Sequence, residues 1–510
     1  MHSAHAETQM PFAQSCKSIL NPTIDSFIEH ILEDWSSAGG ASIAVVRKIT
    51  RGDSDSDVSW NVEIKGYGIA KADGTKVDPD TLFNLGSNSK LFNAISVGLL
   101  ISNESLSPRL SWETEIASVL PEWGLLDPVA STKNTVSDLM SHRTGMPRHD
   151  YIYEASENIS SLITRLRHLK PSASFRDIYQ YTNVMYIVLS YLPSALIPSK
   201  PTYAEYVSEY IFKPLGLNST TFSGTTASQS GRMADGFARQ PSGNPSRIPN
   251  NPFEKGTTRI IPYFNSPNGQ DGNGKNPSTN QTVIPAEVIR KVATGITVSD
   301  GAASYPELSP VVYGGGQGMY SYRGHCNFLN IGFHSQIIRF PFDDFGIVIL
   351  LNDDKFGTHM YEVMKWRIVD EILGLESVDW NSRLKQTYID EVVIPRNGTL
   401  LEPKYPKPPS FTSFSDLQGV YRHPAYGSIE MCLVPLESLS TEEEYRIDSK
   451  QSQSCQELIK ELPDKLPGIV TLGKPTLVVK WNKFWSSHLR FEHFNGDLFN
   501  ITLFTSMVRE

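Results

Sequence analysis

Apolar positions along the chain switch between a helical and a strand period, and the switches mark the elements. Ile24, Phe27, Ile28, Ile31, Leu32 and Trp35 recur at helical spacing after Pro22, which predicts an amphipathic helix ending near Gly39-Gly40. Residues 41–48 and 58–70 then read as an antiparallel strand pair joined by a polar turn. A short extended run from Leu82 to Leu85 leads, through Gly86, into a helix from Ser87 to about Ile101. That helix is apolar nearly all round, at Leu91, Phe92, Ile95, Val97, Leu99 and Leu100, which predicts burial at the centre of the fold.

Residues 112–210 are mainly helical in pattern, and Val136 to Pro147 reads as a helix closed by a Gly/Pro turn. From Ser223 to Pro285 the composition changes to Gly, Ser, Asn, Pro and Thr, the signature of a long irregular excursion. Residues 335–340 and 345–351 predict a hairpin, and Met360 to Leu373 a second amphipathic helix stopped by Gly374. Pro403, Pro406, Pro408 and Pro409 mark a stiff linker, and residues 417–507 alternate like the strands of a small antiparallel barrel or sandwich. The domains expected are a main body over 20–376, a linker over 377–412 and an accessory unit over 413–510.

Charge and composition narrow the function. A net charge of −9 over 510 residues, with no dense Lys/Arg cluster, argues against a nucleic-acid partner or an anionic membrane surface. No run is long enough to span a bilayer, and the polar first residues lack the pattern of a signal peptide, so the expected location is the cytoplasm. Cys16, Cys326, Cys432 and Cys455 lie far apart without ligand spacing, which predicts reduced thiols and no structural zinc. His142, His149 and Asp150 are likewise discounted as metal ligands, because no companion pair has the required spacing.

Three apart on one helix, Ser87 and Lys90 place a hydroxyl beside an ammonium at the positive end of the helix dipole. That arrangement suits an activated nucleophile. The spacing alone carries little weight, since Ser382 and Lys385 repeat it in a polar segment with no partner motif. A nucleophile of this kind needs a further proton-shuttling group. Tyr181, in Tyr181-Thr182-Asn183, is the best candidate for a general base, and Asn183 for a donor to a substrate carbonyl; Tyr263-Phe264-Asn265 repeats the pattern inside the irregular excursion. Gly269 to Lys275 has a phosphate-loop skeleton, but Asn276 and Pro277 follow where a Ser/Thr and a helix are required.

Taken in order, these segments resemble the serine β-lactamase and penicillin-binding-protein superfamily, in its class C-like branch of esterases, peptidases and fungal acyltransferases. The resemblance rests on residues 83–90 (FNLGSNSK), 139–147 (LMSHRTGMP), 181–186 (YTNVMY) and 211–217 (IFKPLGL). It implies an α+β fold: an antiparallel sheet flanked by N- and C-terminal helices, an all-helical subdomain, and a small C-terminal antiparallel β-barrel. It implies Ser87 as the acylated nucleophile with its N–H in the oxyanion hole, Lys90 as activator, Tyr181 as general base and Asn183 as a substrate contact. No cofactor is implied, and the expected partner is a small-molecule acyl substrate. The family's third element, a Lys/His-x-Gly strand before a Gly-Phe pair, is absent as such from residues 322–335 (YRGHCNFLNIGFHS), and His325 is its nearest substitute. A serine hydrolase or acyltransferase is therefore expected, with a non-catalytic binding scaffold of the same fold as the alternative.

Overall fold

The computed structural model describes residues 17–504 apart from 51–57, 155–156, 240–244, 249–262, 265–273, 277–278, 280, 333, 394–406, 411–412, 435–450, 467, 471–474 and 484–485. Its centre is an eight-stranded antiparallel sheet. The strands are β1 (Gly40–Thr50), β2 (Val58–Gly68), β3 (Thr297–Asp300), β4 (Val311–Tyr313), β5 (Gly318–Tyr322), β6 (His325–Ile331), β7 (Ser335–Phe340) and β8 (Phe345–Leu351). Their order across the sheet is β2-β1-β8-β7-β6-β5-β4-β3, so the first hairpin is joined to the later strands through the β1–β8 pair.

Alternation along β8 shows how the sheet separates two cores. Phe345, Ile347, Ile349 and Leu351 face one apolar cluster, while Val348 and Leu350 face the other. The first cluster lies under α1 (Pro22–Asp34), α6 (Gly357–Leu373) and α7 (Trp380–Val393). Asn21 caps α1 by accepting from the Thr23 and Ile24 N–H groups, and Ile24, Ile28, Ile31 and Leu32 form its buried stripe. Gly374 ends α6 in the left-handed conformation, as the pattern predicts.

The second cluster holds α2 (Ser89–Ser102), α3 (Val136–Met140), α4 (Asn183–Leu196) and α5 (Ala286–Ala293). Ten of the fourteen residues of α2 are buried, including Lys90 and Asn93, which makes it the central helix expected from its composition. The segment from Val136 is shorter than predicted, because the helix ends at Met140 and the chain turns through His142 in the left-handed region.

Three expectations are corrected here. Residues 380–393, assigned to the linker, form α7. Trp380 is 2% exposed in the first core, and Lys385 pairs with Asp34 at 2.6 Å, so this helix belongs to the main body. The proline-rich stretch itself falls largely outside the described residues. The C-terminal strands β9 (Gly419–His423), β10 (Gly427–Val434), β11 (Thr476–Lys483), β12 (Ser486–Asn495) and β13 (Leu498–Phe504) pair in sequence order, and no pairing joins β9 to β13 among the described residues. The unit is a five-stranded antiparallel sheet packed on α8 (Gln453–Lys465), and among the described residues it is not closed into the barrel expected.

The third correction concerns the thiols. Cys432 on β10 and Cys455 on α8 form a disulfide across that small core, so two of the four cysteines are not reduced thiols. Their separation of 23 residues hid the pair, because a helix-to-strand contact has no fixed sequence spacing. Cys326 is a free thiol, and Cys16 lies outside the described residues. Among the described residues, no helix is long and apolar enough to cross a membrane.

Candidate active site

The Ser87 segment enters its helix through a tight turn. Asn84 Oδ1 accepts the Gly86 N–H at 2.8 Å, Gly86 adopts φ +51°, and a 3₁₀ turn over Gly86–Asn88 runs directly into α2. Ser87 thereby lies in the first turn, where a backbone N–H has no intrahelical acceptor and is free to face a developing oxyanion. Lys90, 6% exposed, donates to Ser87 Oγ at 2.9 Å and to Asn183 Oδ1 at 2.7 Å. The Tyr181 hydroxyl lies 2.6 Å from the same Ser87 Oγ. Ser87, Lys90, Tyr181 and Asn183, separated by more than ninety residues in sequence, form one hydrogen-bonded cluster.

Burying the Lys90 ammonium removes it from water, and its surroundings compensate in two ways. Its Nζ lies 4.7 Å from the ring centroid of Tyr181 and 5.5 Å from that of Tyr186, close enough for cation–π attraction. Asn183 turns its carbonyl oxygen to the ammonium and its Nδ2 to Asp150 Oδ1 at 3.0 Å, so a carboxylate is linked to Lys90 through one amide. In this geometry Asn183 orients the Lys90 ammonium through its oxygen, and its Nδ2 keeps a second N–H beyond the one given to Asp150.

Residues 138–148 explain why Tyr181 stands where it does. Asp138 is fully buried; it caps α3 and binds both Arg143 (2.6 Å) and Arg176 (2.7 Å). Burial pushes its carboxyl up, but the Arg176 and Thr135 hydrogen bonds and the Arg143 charge outweigh that and hold it below the ordinary carboxylate range. The clamp fixes the loop in which His142, at φ +57°, accepts the Thr182 N–H on Nδ1 at 3.2 Å. Thr182 lies between Tyr181 and Asn183, so a single backbone bond sets the direction of both. His142 is buried among Tyr179, Tyr181, Tyr186 and Tyr313, and burial, with the charges of Lys90 and Arg148, drives its pKa well below the usual value. It is neutral, as acceptance of a backbone N–H by Nδ1 requires.

Opposite the helices, the sheet contributes the end of β6 and the start of β7. A Cβ on Gly332 would fall 1.9 Å from the Leu85 carbonyl oxygen, so only glycine permits this approach. Ser335 Oγ donates to Leu85 O at 2.9 Å, and Asn88 Nδ2 donates to Ser335 Oγ at 2.7 Å. Gly316, in the glycine-rich run before β5, comes equally close to the backbone of Lys90 and Leu91, so those glycines seat the sheet against α2.

His325 does not join this cluster. It occupies the other end of β6, paired with Tyr322 across the β5–β6 turn, and its Nδ1 lies 2.8 Å from Asp343 in the β7–β8 turn. Six residues of extended strand separate it from Ile331, a span of about 20 Å. His325 thus stands apart from the Ser87 cluster, and nothing in this geometry supports the substrate-contact role expected for it: its ring is hydrogen-bonded to Asp343 at the far end of its strand.

Two site residues were missed in the sequence. Asp150 holds Asn183, and Arg148 pairs with Asp150 at 2.8 Å while its guanidinium lies 5.3 Å from the Tyr181 ring centroid. Their signal was position: both follow Gly145-Met146-Pro147 directly, in a segment read only for metal ligation. Among the described residues, no group of three or more His, Cys, Asp or Glu is arranged to hold a metal ion.

A mixed sheet-and-helix body with a Ser/Lys pair heading a buried helix, and a Tyr-x-Asn beside it, is the arrangement of the β-lactamase and penicillin-binding-protein fold. The Beta-lactamase family profile matches residues 38–367, more than half of the chain, and the chain belongs to that family. It is similar to two proteins named unguisins hydrolase: ungD' of Aspergillus campestris, 27% identical over 422 residues, and ungD of Aspergillus violaceofuscus, 26% identical over 434 residues. These alignments cover 78% and 77% of this chain and 75% and 73% of the relatives. In fold it resembles the octameric penicillin-binding protein homologue from Pyrococcus abyssi, with a TM-score of 0.53 at 15% identity over 95% of this chain and 98% of that one.

Proposed function

We propose that this protein is a serine acyl hydrolase that works through a Ser87 acyl-enzyme, with transfer of the acyl group to an alcohol or amine as the variant outcome. One observation carries the reading: Ser87 Oγ is within hydrogen-bond reach of both Lys90 Nζ and Tyr181 OH at the start of a buried helix. With the pair one proton short, as a Lys90 amine or a Tyr181 phenolate, it takes the Ser87 proton as Ser87 attacks an ester, thioester or amide carbonyl, and it returns that same proton to the leaving group. The Ser87 N–H supports the oxyanion. Water, or an acceptor, then attacks the acyl-enzyme and releases Ser87.

The relatives' names support hydrolysis over transfer and make unguisins the first substrates to test. They also support a place in specialised metabolism. A second reading, a binding scaffold without turnover, draws on the sheet wall, where His325 stands away from Ser87. One experiment separates the two. A fluorophosphonate serine probe is expected to label the wild-type chain once and Ser87→Ala not at all; labelling that persists in Ser87→Ala defeats the assignment, and an unlabelled wild type favours the scaffold.

A further inference from the structure

The C-terminal sheet does not stand clear of the site. The turn between β9 and β10 presses against the segment that follows Pro147: Ala425, fully buried, joins the core of the helical side, and its carbonyl accepts from Arg165. Arg165 also donates to Ile152 O at 3.1 Å and pairs with Glu157, so the same guanidinium grips both surfaces. Beside it, the Tyr426 hydroxyl lies 2.8 Å from His149 Nδ1. A second contact, between Lys483 on β11 and Glu154, lies further along the segment at 2.8 Å.

His149 is the junction. Its Nε2 lies 3.3 Å from the Lys170 carbonyl, which can only accept, so the ring proton sits on Nε2 and Nδ1 accepts from Tyr426. Burial lowers the imidazole's pKa and favours the same neutral form. Both ring nitrogens are thus bonded, and they hold a residue whose backbone is at φ +44°, a conformation a non-glycine side chain adopts only under constraint. The next residue is Asp150, whose carboxylate sets Asn183, which in turn sets Lys90.

We infer that Tyr426 is a positioning residue for the Ser87 centre, acting through His149 and Asp150 on Asn183, so that the C-terminal sheet is a working part of the active site. The inference rests on the acyl-enzyme reading above. It extends that reading from the main body to the second sheet, whose pattern suggested only an appended unit.

The test uses the full-length chain, an activated p-nitrophenyl ester and the fluorophosphonate probe. Tyr426→Phe deletes the hydroxyl and keeps the ring packed near Trp481. It is expected to lower kcat and the probe-labelling rate about tenfold with KM changed by less than about twofold and an unaltered thermal midpoint, since small displacements of reacting groups act on rate. Glu154→Gln, which removes the Lys483 ion pair between the same two surfaces without touching His149, is expected to leave those rates as they are. Wild-type rates in Tyr426→Phe, or a loss confined to KM, would overturn the positioning role while leaving Ser87 chemistry intact. Absence of Ser87-dependent labelling in the wild-type chain would instead defeat the functional reading, and this inference with it.

Discussion

The two walls of the site were built under different constraints. On the helical wall, Ser87, Lys90, Tyr181 and Asn183 converge within hydrogen-bond distance, and a buried ionic hub at Asp138 keeps the loop behind them in place. On the sheet wall, β6 and β7 reach the nucleophile segment through Gly332 and Ser335, but the imidazole expected there lies at the opposite end of its strand. A helical site tolerates change only where its polar partners survive together, because each buried polar group depends on the next. A strand can lose its site residues and still be a strand, since its ladder bonds are made by the backbone.

The comparison can be broken first at Tyr181. Tyr181→Phe removes one of the two groups on Ser87 Oγ and should slow acylation about a thousandfold, measured by stopped-flow hydrolysis of an activated ester. A loss below about tenfold would leave Lys90 as the sole proton acceptor. Next in size is Asp138→Ala, which leaves Arg143 and Arg176 without their buried carboxylate and should cost about 3 kcal/mol or more in denaturant unfolding. If stability is unchanged, the hub does not hold the helical wall.

A smaller effect is expected from acid. His142 is held neutral in the fold and protonates near its ordinary value once unfolded, so its contribution is complete above about pH 6.5. Stability is then lost as pH falls, by at most about 1.4 kcal/mol per unit for this one group. His142→Gln should flatten that part of the stability profile, and an unchanged slope would remove His142 as its source. The smallest effect belongs to the sheet wall. His325→Ala breaks a partly exposed hydrogen bond with Asp343, and should cost about 1 kcal/mol or less with ester turnover unchanged. A large loss of turnover would restore His325 to the site.

Much of the helical wall was legible because its chemistry is local. Ser87 and Lys90 meet through helical geometry, and residues 139–147 and 181–186 carry short patterns tied to turns and helix starts. Asp150 was weighed only as a metal ligand because its partner, Asn183, lies thirty-three residues on and is reached only after the loop folds back over α4. The disulfide, the helix over 380–393 and the packing of the C-terminal sheet on α8 escaped for the same reason: each depends on which surfaces meet, and period alone does not encode that.

By itself, then, the order of residues determined the strands and helices of the main sheet and its hairpins, the central burial of α2 and the pairing of Ser87 with Lys90, since these follow from side-chain period and i, i+3 neighbours. Tertiary structure alone decided that Tyr181 meets Ser87, that Asn183 serves Lys90, that Tyr426 stands behind His149 and that His325 does not belong. A strand carries its side chains about 3.3 Å further with every residue, so six positions along β6 separate the end that meets the site from the end that holds His325.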